Sequence, residues 1–206
     1  MKEQTNKKHK AIALSLMLIL FFTLGFMVKG SSEGILFDVK IIEYVHNNTI
    51  PGILKFMRFI SFVGSANFLL PVTAMIISYT LIKKKYYISK LLLLSTLGSY
   101  ILNFILKQIF HRTRPIEYFL VKQGGLSFPS GHSMVTMSLY STIAFLLAKK
   151  VKDKGKRRLI YTISFVMICL MGISRIYLGV HWPTDVIGGY LMGYVFYCLS
   201  ITLVKE

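Results

Sequence analysis

Three short runs in this chain of 206 residues combine residue types that hold anions and move protons. The first is Lys107 with Arg114-Pro115, the second Pro129-Ser130-Gly131-His132, and the third Ser174-Arg175 followed by His181 and Asp185. Arginine offers a planar fork of donors and lysine a compact point charge, so Lys107, Arg114 and Arg175 suit a phosphate clamp. Ser130 suits a helix N-cap, and Gly131 lets a ligand approach the backbone where free N–H groups and the helix dipole favour an anion. A cationic imidazole at His132 is disfavoured there unless an anion is bound, which suits a residue that exchanges a proton with a phosphate ester. Asp185, four residues after His181, can accept its Nδ1 proton, fixing the tautomer and leaving Nε2 free to attack.

Each cluster also has an ordinary structural reading. Lys107 can snorkel, Arg112 and Arg114 can meet lipid headgroups, Ser130 can simply cap a helix, and Asp185 is favourable in any first turn. Charged residues at membrane depth are nevertheless usually functional. A metal reading of the His and Asp pair is opposed by its cationic surroundings, with no Cys, Asp or Glu cluster to complete a shell. No cofactor and no metal site is therefore expected.

The elements that must position these residues are membrane helices. The chain is 54% hydrophobic and 16% charged, too little polar surface for a soluble domain of this length. The net charge of +17 does not indicate nucleic-acid binding, because the basic residues border apolar runs rather than line one face. Cys169 and Cys198 lie inside apolar segments and read as buried small hydrophobes.

At about 20 apolar residues per crossing, the spans fall at 11–28, 65–82, 88–110, 130–148, 159–178 and 184–203. The expected fold is a single all-α domain over 1–206, a polytopic bundle of six transmembrane helices. The first span reads as an uncleaved anchor, being long for a signal-peptide core and lacking a clear small-x-small cleavage site. Between the first two spans, Ser31 to Gly64 is too polar to cross and reads as two short interfacial helices. In the second of them, Ile53, Leu54, Met57, Ile60 and Ser61 share a face that excludes Lys55 and Arg58. Lys107, His111 and Arg114 recur at intervals of four and three, one face of a helix leaving the membrane, with Pro115 at its end although it disfavours helical geometry at Arg114. Gly179 should break the fifth helix and Pro183 start the sixth. Gly124-Gly125 suggests mobility in the 112–129 loop, which could act as a flap.

Counted on alternate sides of the spans, 16 of the 25 Lys and Arg residues gather on one side, Lys2, Lys7 and the 149–158 group among them. The expectation is a multi-pass cell-membrane protein with both termini cytoplasmic and all three polar clusters on the outer face.

Lys107 with six residues before Arg114-Pro115, then Pro129-Ser130-Gly131-His132, then Ser174-Arg175 with five residues before His181 and three more before Asp185, resemble the three signatures of the type 2 phosphatidic acid phosphatase family. The motif region spans 107–185, and every motif position matches. The resemblance implies a metal-independent lipid phosphatase: His181 as the nucleophile that forms a phosphohistidine, Asp185 orienting it, and His132 protonating the leaving oxygen and later activating water. It implies that Lys107, Arg114, Arg175, Ser130 and the Gly131 N–H hold the phosphoryl oxygens. Small bacterial members of this kind are similar to phosphatidylglycerophosphate and undecaprenyl pyrophosphate phosphatases, and phosphatidic acid is a further possible substrate. The expected partner is thus a membrane lipid phosphate, with no nucleic acid and no obligatory protein partner. Two other classes remain open, a vanadium-dependent haloperoxidase-like enzyme and a non-catalytic lipid-binding membrane protein. No role follows for His111 or Arg112.

Overall fold

The computed structural model describes the backbone of residues 2–205 and the side chains of residues 8–205, so Lys2 and Lys7 of the charge count lie outside the described side chains. Every regular element among the described residues is helical. In chain order the α-helices are α1 (Lys2–Met27), α2 (Leu36–Asn47), α3 (Pro51–Val63), α4 (Ala66–Ile82), α5 (Tyr86–Leu93), α6 (Ser99–Phe110), α7 (Gly131–Lys149), α8 (Lys154–Tyr177) and α9 (Pro183–Leu203), with a 3-10 turn at Ile116–Tyr118. A π-helical turn, Leu94–Gly98, carries α5 into α6 without breaking the rod.

Among the described residues, five stretches are long and apolar enough to cross a membrane: Lys8–Met27, Tyr86–Phe110, Gly131–Lys149, Lys154–Tyr177 and Pro183–Leu203. The span expected at 65–82 is α4, 17 residues long. It is joined to α3 through a 43° bend, and the pair together is a sixth candidate. The apolar faces turn outward as well as inward: Ile19, Phe104 and Phe165 are all more than half exposed, as a lipid-facing surface requires.

Glycine lets the helices that carry the site approach each other. A Cβ at Gly189 of α9 would sit 2.8 Å from the Ser130 carbonyl, and one at Gly193 would sit 2.5 Å from the Met134 carbonyl of α7. Without side chains there, the two backbones pack at a distance that dispersion rewards. Beside them Phe21 of α1, Phe110 of α6 and Phe128 form an aromatic cluster, with Phe110 edge-on to both others at 5.7 and 5.1 Å. This cluster closes the bundle beneath the site.

α3 shows the expected face from its second turn onward, where Met57, Ile60 and Ser61 are buried and Lys55 and Arg58 are exposed; at its start Ile53 is exposed and Leu54 only partly buried. α2 departs from expectation. Asp38, read as part of a polar pattern, is completely buried, because an ionic partner waits for it inside. Of the two thiols, Cys198 is buried, but Cys169 is half-exposed and so is not the buried hydrophobe expected; both are free.

Candidate active site

The third helix ends earlier than its spacing indicates. His111 takes left-handed backbone geometry (φ 48°) and caps α6 through its N–H to the Lys107 carbonyl. The left-handed residue turns the chain out of the helix, and Pro115 holds Arg114 away from helical geometry. Lys107, His111 and Arg114 therefore do not share a helix face: His111 is exposed, while Arg114 turns inward from a non-helical segment. The end of α6 is tied to the turn that follows α1 by Gly30 N–H to the Phe110 carbonyl at 2.8 Å.

His132 sits in the first turn of α7, where Ser130 is the N-cap and its hydroxyl accepts from the Ser133 N–H. Asn103 of α6 steadies this corner by donating to the Pro129 carbonyl at 3.1 Å. The corner is joined to α9 by Ser130 N–H to the Asp185 carbonyl, 2.9 Å. Arg175 lies in the last turn of α8. Gly179 (φ +69°) then reverses the chain so tightly that a Cβ would fall 1.7 Å from the Tyr118 carbonyl oxygen. Pro183 starts α9, which puts Asp185 in its first turn, where the carboxylate accepts the Trp182 N–H at 2.9 Å.

His181 is caught between two charged groups. Its Nδ1 lies 3.2 Å from Asp185 Oδ2, and its Nε2 lies 2.9 Å from Arg114 Nη1. A guanidinium can only donate, so Nε2 must be the unprotonated nitrogen and Nδ1 the one that donates to Asp185. The lone pair that would attack an electrophile therefore accepts the Arg114 hydrogen bond, and it is released when Arg114 turns to another acceptor. Burial holds the His181 pKa well below its ordinary value, and Arg114, Lys107, Arg175 and His132 depress it further.

Asp185 has two further donors. Ser127 Oγ–H reaches Oδ2, and Arg112 Nη1 reaches Oδ1 at 2.8 Å. Arg112 is fully buried and bridges to Asp38 Oδ2 at 2.6 Å, with Thr184 Oγ1 also accepting from it at 2.7 Å. Asp38 in turn accepts the Thr184 N–H at 2.8 Å, and the Trp182 ring lies 5.4 Å from the guanidinium. Asp38 and Asp185 are the buried acids among the described residues, and both are occupied by Arg112.

Lys107, Arg114 and Arg175 are held instead by neutral acceptors. Lys107 donates to the Leu126 and Ser127 carbonyls. Arg114 donates to the carbonyls of Gly124, Gly125, Leu126 and Val180. Arg175 donates to Ser61 Oγ and to Gln123 Oε1, leaving its Nε without a partner. Burial lowers the Arg114 pKa to about 10. Three basic side chains bonded only to neutral groups, one of them on the His181 imidazole, are an arrangement able to take up an anion. The structure thus brings together all eight residues singled out above, Lys107, Arg114, Ser130, Gly131, His132, Arg175, His181 and Asp185.

Asp38, Arg112, Ser127, Thr184, Ser61 and Gln123 were not found by spacing. Arg112 and Asp38 carried one usable signal: eight acidic residues in an apolar chain leave few that can be idle. No group of three or more His, Cys, Asp or Glu gathers as metal ligands among the described residues.

A sequence model described as the PAP2 superfamily matches residues 89–206. The chain is 37% identical over 150 residues to phosphatidylglycerophosphatase B of Bacillus subtilis, covering 72% of this chain and 74% of that one. It is 27% identical over 196 residues to an undecaprenyl-diphosphatase of Sulfolobus acidocaldarius, covering 91% and 89% respectively. The crystal structure of a transmembrane PAP2 type phosphatidylglycerolphosphate phosphatase from Bacillus subtilis superposes with a TM-score of 0.82 at 31% identity, over 92% of this chain and 94% of that one.

Proposed function

This chain belongs to the PAP2 superfamily, and on that premise we propose that it is a membrane lipid phosphatase that works through a phosphohistidine at His181. The carrying observation is His181 itself, held in the Nδ1–H tautomer by Asp185 with Nε2 on Arg114, while Arg114, Lys107 and Arg175 have only neutral hydrogen-bond partners.

The lipid phosphate enters among Lys107, Arg114 and Arg175, whose donors pass from carbonyl, hydroxyl, amide and, for Arg114, the His181 Nε2 acceptors to phosphoryl oxygens, which frees Nε2 to attack. Ser130 and the Gly131 N–H add the positive end of α7. His181 Nε2 forms the N–P bond as the P–O bond to the lipid breaks, and His132 gives its proton to the leaving oxygen. Asp185 stabilises the imidazolium character that His181 gains. His132, now neutral, takes a proton from water as that water attacks phosphorus, which breaks the N–P bond and frees inorganic phosphate. Charge spreads over the equatorial oxygens during both transfers, so fixed donors are what the reaction needs.

The substrates named for the relatives support phosphatidylglycerophosphate or undecaprenyl diphosphate, with phosphatidic acid as a further candidate. The whole chain forms one membrane-embedded domain. α3 and α4 count as a bent sixth span with α2 and the start of α3 at the interface, both termini are cytoplasmic, and the site opens on the outer face. The ends of α6 and α8 and the starts of α7 and α9 meet at the site, whereas Lys83 to Lys85 and the basic 150–158 segment lie at the other ends of the same helices, which supports that orientation.

The test is His181→Ala. Phosphate release from these lipids should fall by roughly a thousandfold or more, with the protein still folded in detergent. Full turnover in that variant would sink the proposal.

A further inference from the structure

The site opens sideways into a pocket of about 260 Å³ between α3, the end of α8 and the segment around Gln123. His132 and Arg175 line it together with Ser61, Gln123 and Arg58 of α3, and no acidic residue contributes to its wall. The buried part of this wall already has a phosphate-like pattern: Ser61 and Gln123 take up two nitrogens of Arg175 while its Nε stays unpartnered. Arg58 stands at the exposed side, fixed by one donation from Nη2 to the Leu120 carbonyl at 3.0 Å. One contact leaves most of the five guanidinium N–H donors free for a ligand.

From this placement we propose that Arg58, with Ser61 and Gln123, forms a subsite for a second phosphate carried on the leaving group of the lipid. The inference rests on the phosphatase reading, in which His132 protonates the leaving oxygen. His132 lines this pocket, so whatever is attached to that oxygen must extend into it. Where the leaving group carries another phosphate, that phosphate meets Arg58, a fork suited to it. Phe62, which lines the pocket, and Phe59 on the same helix are 53% and 61% exposed, so the chain of the lipid leaves along an aromatic surface and does not have to pass through the protein. The second phosphate has two possible sources: an isoprenyl diphosphate, where it is directly bonded to the first, and phosphatidylglycerophosphate, where a glycerol intervenes.

The experiment compares kcat/KM of the full-length protein in one detergent for phosphatidic acid, farnesyl diphosphate and phosphatidylglycerophosphate. Arg58→Ala should lower kcat/KM for a two-phosphate lipid about tenfold more than for phosphatidic acid, the size expected for one charge-assisted contact. Arg58→Lys should recover part of that difference, which a merely structural role of the side chain would not predict. A larger loss on farnesyl diphosphate assigns the subsite to a directly bonded phosphate, and a larger loss on phosphatidylglycerophosphate to one beyond a glycerol. Turnover of phosphatidic acid reports on folding in the same variants. An unchanged ratio among the three lipids overturns the subsite. Failure of the wild-type protein on all three would instead overturn the phosphatase reading.

Discussion

Arg112 Nη1 lies 2.8 Å from Asp185 Oδ1, on the carboxylate oxygen that does not face His181. The same guanidinium holds Asp38 of α2 at 2.6 Å, so one buried cation ties the interhelical segment to the acid that orients the nucleophile. With two carboxylates and one arginine, every charge in this trio depends on the others.

Removing the arginine should therefore be costly. Arg112→Met leaves two buried carboxylates without their cation, and breaking such a pair costs about 3–5 kcal/mol. A fall in the detergent unfolding midpoint is expected, with loss of phosphate release because Asp185 is no longer held. Asp38→Asn, which does not line the phosphate pocket, should lower both quantities in the same direction but less. An unfolding midpoint equal to wild type in Arg112→Met would refute this account of the network.

Blocking the second half of the reaction should trap the enzyme. In His132→Gln the leaving oxygen lacks its proton donor and the attacking water its base, each worth roughly a hundredfold or more. With a substrate whose leaving group needs no proton, such as p-nitrophenyl phosphate, the first step should survive and the second stall. Labelled phosphate should then stay on the protein as an acid-labile adduct, and be absent from the double variant with His181→Ala. Label retained without His181 would place the nucleophile elsewhere.

The stability of the protein should depend on pH through His181. An unfolded histidine titrates near 6.5, whereas burial and surrounding cations put the folded His181 well below that. Below pH 6.5 the unfolded chain takes up a proton that the folded protein refuses, so stability is fully present above that pH and declines as pH falls toward the folded pKa. The slope is about 1.4 kcal/mol per pH unit for one proton. His181→Asn should flatten the fall in stability seen in chemical denaturation as pH drops below 6.5, by at most one proton's worth of slope. An identical slope in the variant would contradict a neutral, depressed His181.

The turn between α8 and α9 admits little change. Gly179→Ala places a Cβ 1.7 Å from the Tyr118 carbonyl oxygen at a positive φ, so the backbone must move. Because Arg175 and His181 flank this turn, phosphate release should fall by more than tenfold even where the variant remains folded, read as activity per folded molecule in detergent. Wild-type activity per folded molecule would show that the turn does not set the site.

The sequence by itself determined the helical architecture and the eight candidate site residues. Membrane spans depend on local apolar length, and Gly179 and Pro183 act on the chain next to them, so both are written in contiguous residues. The three signatures are also local, each placed where a helix begins or ends. What only the tertiary structure decided is which charges are partnered. Asp38 and Arg112 are 74 positions apart and looked like members of polar, surface-seeking stretches; burial turns them into a fixed support for Asp185. The same holds for Arg114. Its spacing from Lys107 pointed to one helix face, but His111 ends the helix and delivers the guanidinium to His181 from a non-helical segment instead. The neutral acceptors include Val180 for Arg114 and Ser61 and Gln123 for Arg175, all more than 50 positions away. Interaction energy depends on distance in space and on exclusion of water, neither of which a residue's position in the chain encodes.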